Sequence, residues 1–279
     1  MSTSEIAAII FDAIQAQRAR TPERPALIGV AGAQGSGKTT ACQLLEAANR
    51  PRFAHFSLDD VYLTKAERIW RADNISSFSA VRDEDGRFEV AHKERPAIER
   101  LLLTRGPPGT HDLGLARGVI ARLATDAATP LPRFDKAADD RAPESEWPVF
   151  QGPAEAILID GWCLGAKPPP ASEPINDVER EDVEGIWRRE TDMQLRKTYA
   201  PFFASFDAII YLQAPNWEIV RKWRGQQEEQ LLRRPLTPEE DAKLDRFLMF
   251  YERITRSMIA GNHMATTVVR LDEERRVML

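Results

Sequence analysis

The sequence predicts an α/β fold: a mainly parallel β-sheet flanked by helices on both faces, with helical lid and insertion segments. Three observations predict it. Apolar runs of strand length alternate with longer helical patterns along the 279 residues. The run Gly32-Ala33-Gln34-Gly35-Ser36-Gly37-Lys38-Thr39 fits the pattern G-x-x-x-x-G-K-[ST] and sits between one such strand and one such helix. Two apolar strands, at 52–58 and 154–159, run directly into acids, Asp59-Asp60 and Asp160. In a parallel sheet covered on both faces the strand C-termini share one edge, so these acids land beside the glycine loop.

The elements follow in order. Ser4 to Arg18 places Ile6, Ile9, Ile10, Ala13 and Ile14 on one helical face, and Thr21 to Pro25 breaks that helix. Ala26–Ala31 is a short buried strand, and strong helix formers fill Thr40–Ala48. After the strand at 52–58, Ala66–Trp70 is helical, 74–89 is polar with a turn at 83–86, and a helix resumes over Pro96–Leu103. The Gly/Pro-rich segment 105–112 reads as a loop feeding a helix from Leu113 to Ala124. Residues 139–148 form a charged, proline-containing loop, and Lys167–Pro174 continues neither helix nor strand. One long helix is expected over Val178–Phe203, then a strand at Asp207–Leu212, helices at 216–233 and 237–260, and a last strand at Thr266–Leu271. The expectation is a single domain over 1–279, with an N-terminal helix within 1–22, an insertion at about 71–93 and a helical lid at about 216–260.

Charge narrows the function classes. The chain carries 38 Lys and Arg against 43 Asp and Glu, a net −5, with the signs interspersed. No polybasic run or basic-aromatic stripe suits nucleic acid as the main ligand. No apolar stretch approaches bilayer length and the N-terminus lacks a secretory pattern. Cys42 and Cys163 lie far apart and form no metal or redox motif, so the expected location is a reducing cytoplasm. Cys42 reads as a small buried hydrophobe.

The strand–loop–helix run carries the chemistry. It aims backbone N–H groups and a helix N-terminus at an anion, so residues Gly32, Ala33, Gln34, Gly35, Ser36, Gly37, Lys38, Thr39 and Thr40 are expected to cradle the triphosphate of ATP. Lys38 would reach the β- and γ-phosphates, and Thr39 would sit on Mg²⁺. Asp59 or Asp60 could accept a hydroxyl proton or help hold Mg²⁺, and Asp160 would be the second acidic element. Turn aspartates and a strand cap are the plainer alternatives. Thr110, His111 and Asp112 could serve an acceptor or a helix N-cap. Arg133, Asp135, Lys136 and Arg141 could meet an anionic substrate or make a solvated loop. Arg221 and Arg224 could close over the phosphoryl group or be an exposed helix face.

The motifs GAQGSGKTT, SLDDVYLT (57–64), RGPPGTHD (105–112), PRFDKAADDR (132–141), IDGWCLGAKP (159–168) and APNWEIVRKWRGQQE (214–228) resemble, in order and spacing, the D-glycerate 3-kinase-like P-loop kinases. That group lies close to uridine kinase, phosphoribulokinase and bacterial pantothenate kinase. The first motif is generic to P-loop proteins, and the others are more specific. The resemblance implies an ATP- and Mg²⁺-dependent kinase acting on a hydroxyl of a small organic acid, D-glycerate above all. Asp59 would be the acceptor-hydroxyl base, and Asp60 and Asp160 would support Mg²⁺. Asp60, Tyr62, His111, Asp112, Arg133 and Arg141 would line the acceptor site, and Arg221 or Arg224 would belong to the lid. Two features depart from the group. Relatives often carry Glu-Gly-Trp where this chain has Asp160-Gly161-Trp162, and the 71–93 stretch is longer than expected and borders the acceptor side. A nucleoside, pantothenate or another sugar acid remains an alternative acceptor. A regulatory or chaperone-like NTPase is the alternative of another class, although no N-K-x-D guanine-reading motif is present.

Overall fold

The apolar runs join one five-stranded sheet. Its strands are β1 (Ala26–Gly32), β2 (Phe53–Ser57), β3 (Ala156–Gly161), β4 (Ala208–Gln213) and β5 (Thr267–Arg270). Every pairing is parallel and the order is β5-β4-β1-β3-β2. The connections leaving β1 and β4 run to opposite sides of the sheet, which opens a crevice at their C-terminal ends. The structure is a computed structural model that describes residues 2–77, 80–82, 88–90 and 95–278.

Both faces of β1 to β4 are buried, as a parallel sheet requires, and the edge strand β5 is mostly exposed. Along β3, Ile157 and Ile159 enter one core while Leu158 enters the other, and all three are fully buried. Each contributes about 2 kcal/mol by leaving water. Helices α1 (Ser2–Arg20) and α2 (Lys38–Ala48) cover one face, through Ile6, Ile10 and Ile14 and through Ala41, Cys42 and Leu45. The helix α5 (Leu113–Leu123) covers the other with Ala116, Val119 and Leu123. Cys42 and Cys163 are both buried and unpaired.

A satellite cluster of Ala72, Ile98, Leu101, Leu102, Val178 and Trp187 joins α3 (Lys65–Ser77), α4 (Arg95–Leu103), α6 (Asp177–Glu181) and α7 (Ile186–Gln194). Helix α3 runs past the expected Trp70. Ala80–Arg82 pairs antiparallel with Phe88–Val90, and the turn expected at 83–86 lies outside the described residues. The loops at 129–150 hold two short antiparallel pairs.

The single helix expected over 178–203 is broken. The Asp182 carboxylate accepts from the N–H groups of Trp187 and Arg188, 3.0 Å each, so it caps a new helix and ends α6. A π-helical turn, Leu195–Tyr199, then precedes α8 (Ala200–Phe203). Helices α9 (Trp217–Leu232) and α10 (Pro238–Ile259) pack against each other, N-capped by Asn216 and Thr237. Among the described residues no helix is long and apolar enough to cross a membrane.

Candidate active site

The glycine loop leaves β1 and enters α2 at the crevice. Gly37, at φ 88°, starts α2, and no side chain caps that end. The first N–H groups of α2 therefore remain available to an anion. Gly35, at φ 75°, approaches α9 so closely that a Cβ there would meet Trp223 Cβ at 2.8 Å. Among the described residues the buried Gln34 Oε1 and Ser36 Oγ have no partner, and Lys38 Nζ reaches only the Ala33 carbonyl, at 3.4 Å. Buried polar groups normally find partners. The Ser36 hydroxyl, the Lys38 ammonium and the free N–H groups of α2 are donors that a triphosphate, rich in acceptor oxygens, can satisfy.

Beside it Asp160 is 1 % exposed at the end of β3. Its Oδ2 accepts from the Thr39 hydroxyl at 2.6 Å, and its Oδ1 lies 2.8 Å from His55 Nε2. His55 is itself buried on β2. Thr39, Asp160 and Asp59 offer the hard oxygen donors that Mg²⁺ takes when phosphates complete its shell. The residues present fit that ion without a larger carboxylate cluster, and none occurs among the described residues.

A cavity of about 490 Å³ runs along the loop and is lined by Lys38, Thr39, Thr40, Asp59, Tyr62, Lys136, Arg224 and Arg275 among others. A lobe of about 430 Å³ continues beyond Asp59, lined by Arg105, Lys136, Arg224, Lys243, Phe247 and Tyr251 among others. Asp59 accepts from the Tyr62 hydroxyl at 2.7 Å and lies 3.3 Å from Lys136 Nζ. Burial pushes its pKa up, but Lys136, the Tyr62 hydroxyl, Lys38 and His111 outweigh that and hold the carboxyl below its ordinary range. An ionised carboxylate thus faces the phosphate loop across the cavity.

The other expected acceptor residues stand behind that wall. Asp60 closes a capping box on Ser57 N–H, 2.9 Å away, and pairs with Arg133 at 3.0 Å. Burial keeps its carboxyl above the usual range despite Arg133. Arg141 donates to the Tyr62 carbonyl at 2.9 Å and to Asp112 at 3.2 Å, while Asp112 N-caps α5 by accepting from Leu115 N–H at 2.8 Å. His111 stacks on Tyr62, ring centres 4.6 Å apart, and its Nδ1 lies 2.6 Å from the Tyr199 hydroxyl. Arg133, Arg141, His111, Asp112 and Asp60 therefore do not line the cavity.

The lid arginines divide. Arg224 lines the cavity, paired with Glu228 and lying over Phe247. Arg221 does not reach the loop, because Asp241 at 2.5 Å and Asp245 at 2.8 Å hold it against α10. Sequence reasoning missed His55, a polar residue in an otherwise apolar strand, which is the only signal it gives. It also missed Lys136 as the partner of Asp59, and Arg275, which has no motif at all.

Known proteins resemble the chain in sequence and in fold. No protein-family model matches the chain. The uncharacterized kinase mug58 of Schizosaccharomyces pombe is 27 % identical over 245 residues, 82 % of this chain and 79 % of that protein. The chloroplastic D-glycerate 3-kinase of Arabidopsis thaliana is 30 % identical over 220 residues, 73 % of this chain but 41 % of the plant protein. The structure of a D-glycerate 3-kinase from Cryptococcus neoformans superposes with a TM-score of 0.72 over the whole chain and 98 % of its own, at 22 % identity, which speaks to the fold. The chain therefore places a P-loop sequence on the fold of a D-glycerate 3-kinase structure, and in sequence it is similar to proteins named as kinases, a D-glycerate 3-kinase among them.

Proposed function

We propose that the acceptor is a small organic acid, D-glycerate in the first place, and that the reaction requires Mg²⁺. The observation that carries this reading is the juxtaposition, in one cavity, of the phosphate loop and an ionised Asp59 flanked by Lys136. Asp59 orients the acceptor hydroxyl and takes its proton. A carboxylate this acidic is a weak base, yet phosphoryl transfer through a loose transition state asks mainly for positioning and late proton acceptance. Thr39, Asp160 and Asp59 would hold Mg²⁺, which would neutralise charge on the phosphates. Lys38 stabilises the transferring group, and Arg224 joins it by exchanging Glu228 for phosphate as α9 and α10 act as a lid over one kinase domain. The outer lobe brings Arg105, Lys136, Arg224 and Lys243 together with Asp59, Glu228 and Glu240, and an acid substrate would bind there by exchanging with a carboxylate that now pairs one of these cations. The cytoplasmic location belongs to the same reading and rests on the two unpaired cysteines.

ATP consumption with Mg²⁺ across D-glycerate, L-glycerate, uridine, pantothenate and several sugar acids tests the proposal, with Lys38→Ala as the inactive blank. A rate that rises with D-glycerate above the rest supports it. A rate that rises with uridine alone, or ignores every acid, removes the substrate assignment.

A further inference from the structure

Four cations line the cavity along the glycine loop, and their pairing separates them. Lys136 faces Asp59 and Arg224 faces Glu228, whereas Lys38 and Arg275 have no carboxylate within ion-pair distance among the described residues. Lys38 is the cation of the phosphate loop. Arg275 lies on the segment after β5, at the sheet edge where the other site loops emerge. Its Nε donates to the Gly35 carbonyl at 2.6 Å and its Nη2 to Gln226 Oε1 at 2.9 Å. The guanidinium lies 5.0 Å from the centre of the Trp223 ring.

The local chain is built to hold that arginine there. The Asp272 side chain accepts from the N–H groups of Glu274 and Arg276, at 2.9 and 2.7 Å, and Leu271 bridges to Val277 to close the turn. Trp223 Nε1 ties the turn to α9 through the Glu273 carbonyl at 2.7 Å. Arg275 itself takes φ 64°, a left-handed conformation that costs a non-glycine residue of order 1 kcal/mol or more and persists only where the surroundings impose it. Half-buried and without a carboxylate partner among the described residues, the guanidinium keeps a positive charge that an anion in the cavity would neutralise. Its pKa is lowered by burial accordingly.

We infer that Arg275 is a second phosphate ligand, meeting the ATP phosphate chain at the end of the cavity away from Asp59. Its end of the cavity is settled by the outer lobe, which includes Asp59 and Lys136 but neither Arg275 nor Lys38. The inference rests on ATP being the phosphoryl donor. Arg275 anchors phosphate while its Nε holds the Gly35 carbonyl.

Equilibrium binding of ATP and of inorganic tripolyphosphate to the full chain, without acceptor, tests this. The variants are Arg275→Ala, Arg275→Met and Arg275→Lys. Charge-assisted hydrogen bonds predict a loss of roughly ten- to a hundredfold for Ala and Met on both ligands, with Lys recovering part of it. The outcomes that overturn the assignment are Met binding like wild type, Lys no better than Met, and ATP weakened with tripolyphosphate unchanged. Wild-type protein that binds neither ligand would remove the nucleotide reading itself, a failure distinct from any pattern among the variants.

Discussion

Two aspartates ending neighbouring strands do different work, and their side-chain partners decide which. Asp59 is about a third exposed and faces the cavity with a lysine and a tyrosine hydroxyl on it. Asp59→Asn keeps the shape and removes the proton acceptor. It should cut kcat by roughly 10²- to 10⁴-fold while ATP binding, followed by titration calorimetry, changes little. Asp160 is buried and held from two sides, by Thr39 and by His55. His55→Phe preserves the bulk and leaves a carboxylate oxygen buried without its donor. Thermal or urea unfolding should show a loss of about 1–3 kcal/mol, and half-maximal turnover should need more Mg²⁺. An unchanged midpoint together with an unchanged Mg²⁺ dependence would mean that His55 is only filler.

At the scale of elements, the loop 105–112 is fixed by the π-helical turn at 195–199. That turn delivers the Tyr199 hydroxyl to Gly109 N–H, at 2.9 Å, and to His111 Nδ1. His111 is 6 % exposed, and burial depresses its pKa from 6.5 to about 4, with Asp59 opposing. The folded state therefore binds fewer protons here than the unfolded chain between those values. Stability from this group is complete above about pH 6.5 and declines as the pH falls towards 4, by on the order of 3 kcal/mol at most. His111→Gln should flatten that part of the stability–pH curve measured by chemical unfolding. A slope that persists in the variant would assign it to other groups.

Across the whole molecule the site depends on two bodies touching: the loop after β1 and the α9–α10 pair. Gly35 is where they meet. Gly35→Ala puts a methyl 2.8 Å from Trp223 Cβ in a backbone conformation that L side chains avoid, so the loop and α9 must separate. The expected result is a loss of about 1–3 kcal/mol in stability and at least tenfold weaker ATP binding in calorimetry. An Ala variant with wild-type affinity would show that the contact is dispensable.

The sequence by itself determined the layered architecture. Strand-length apolar runs and helix-length periodicities are local, and a parallel sheet forces their C-termini onto one edge, so Gly32–Thr39, Asp59 and Asp160 came together on paper as they do in space. The break at Asp182 was not legible, because the capping hydrogen bonds of one side chain outweigh helix propensity over the surrounding residues. Nor was the fate of the charges. Arg133, Arg141 and Arg221 look like Lys136 and Arg224 along the chain, yet each of the first three is held by carboxylates outside the cavity. Which cation a given acid neutralises depends on distances of a few ångströms between residues far apart in the chain, 77 positions for Lys136 and Asp59. Only the tertiary structure decided that, because Coulombic pairing falls off with separation in space and is indifferent to separation in sequence.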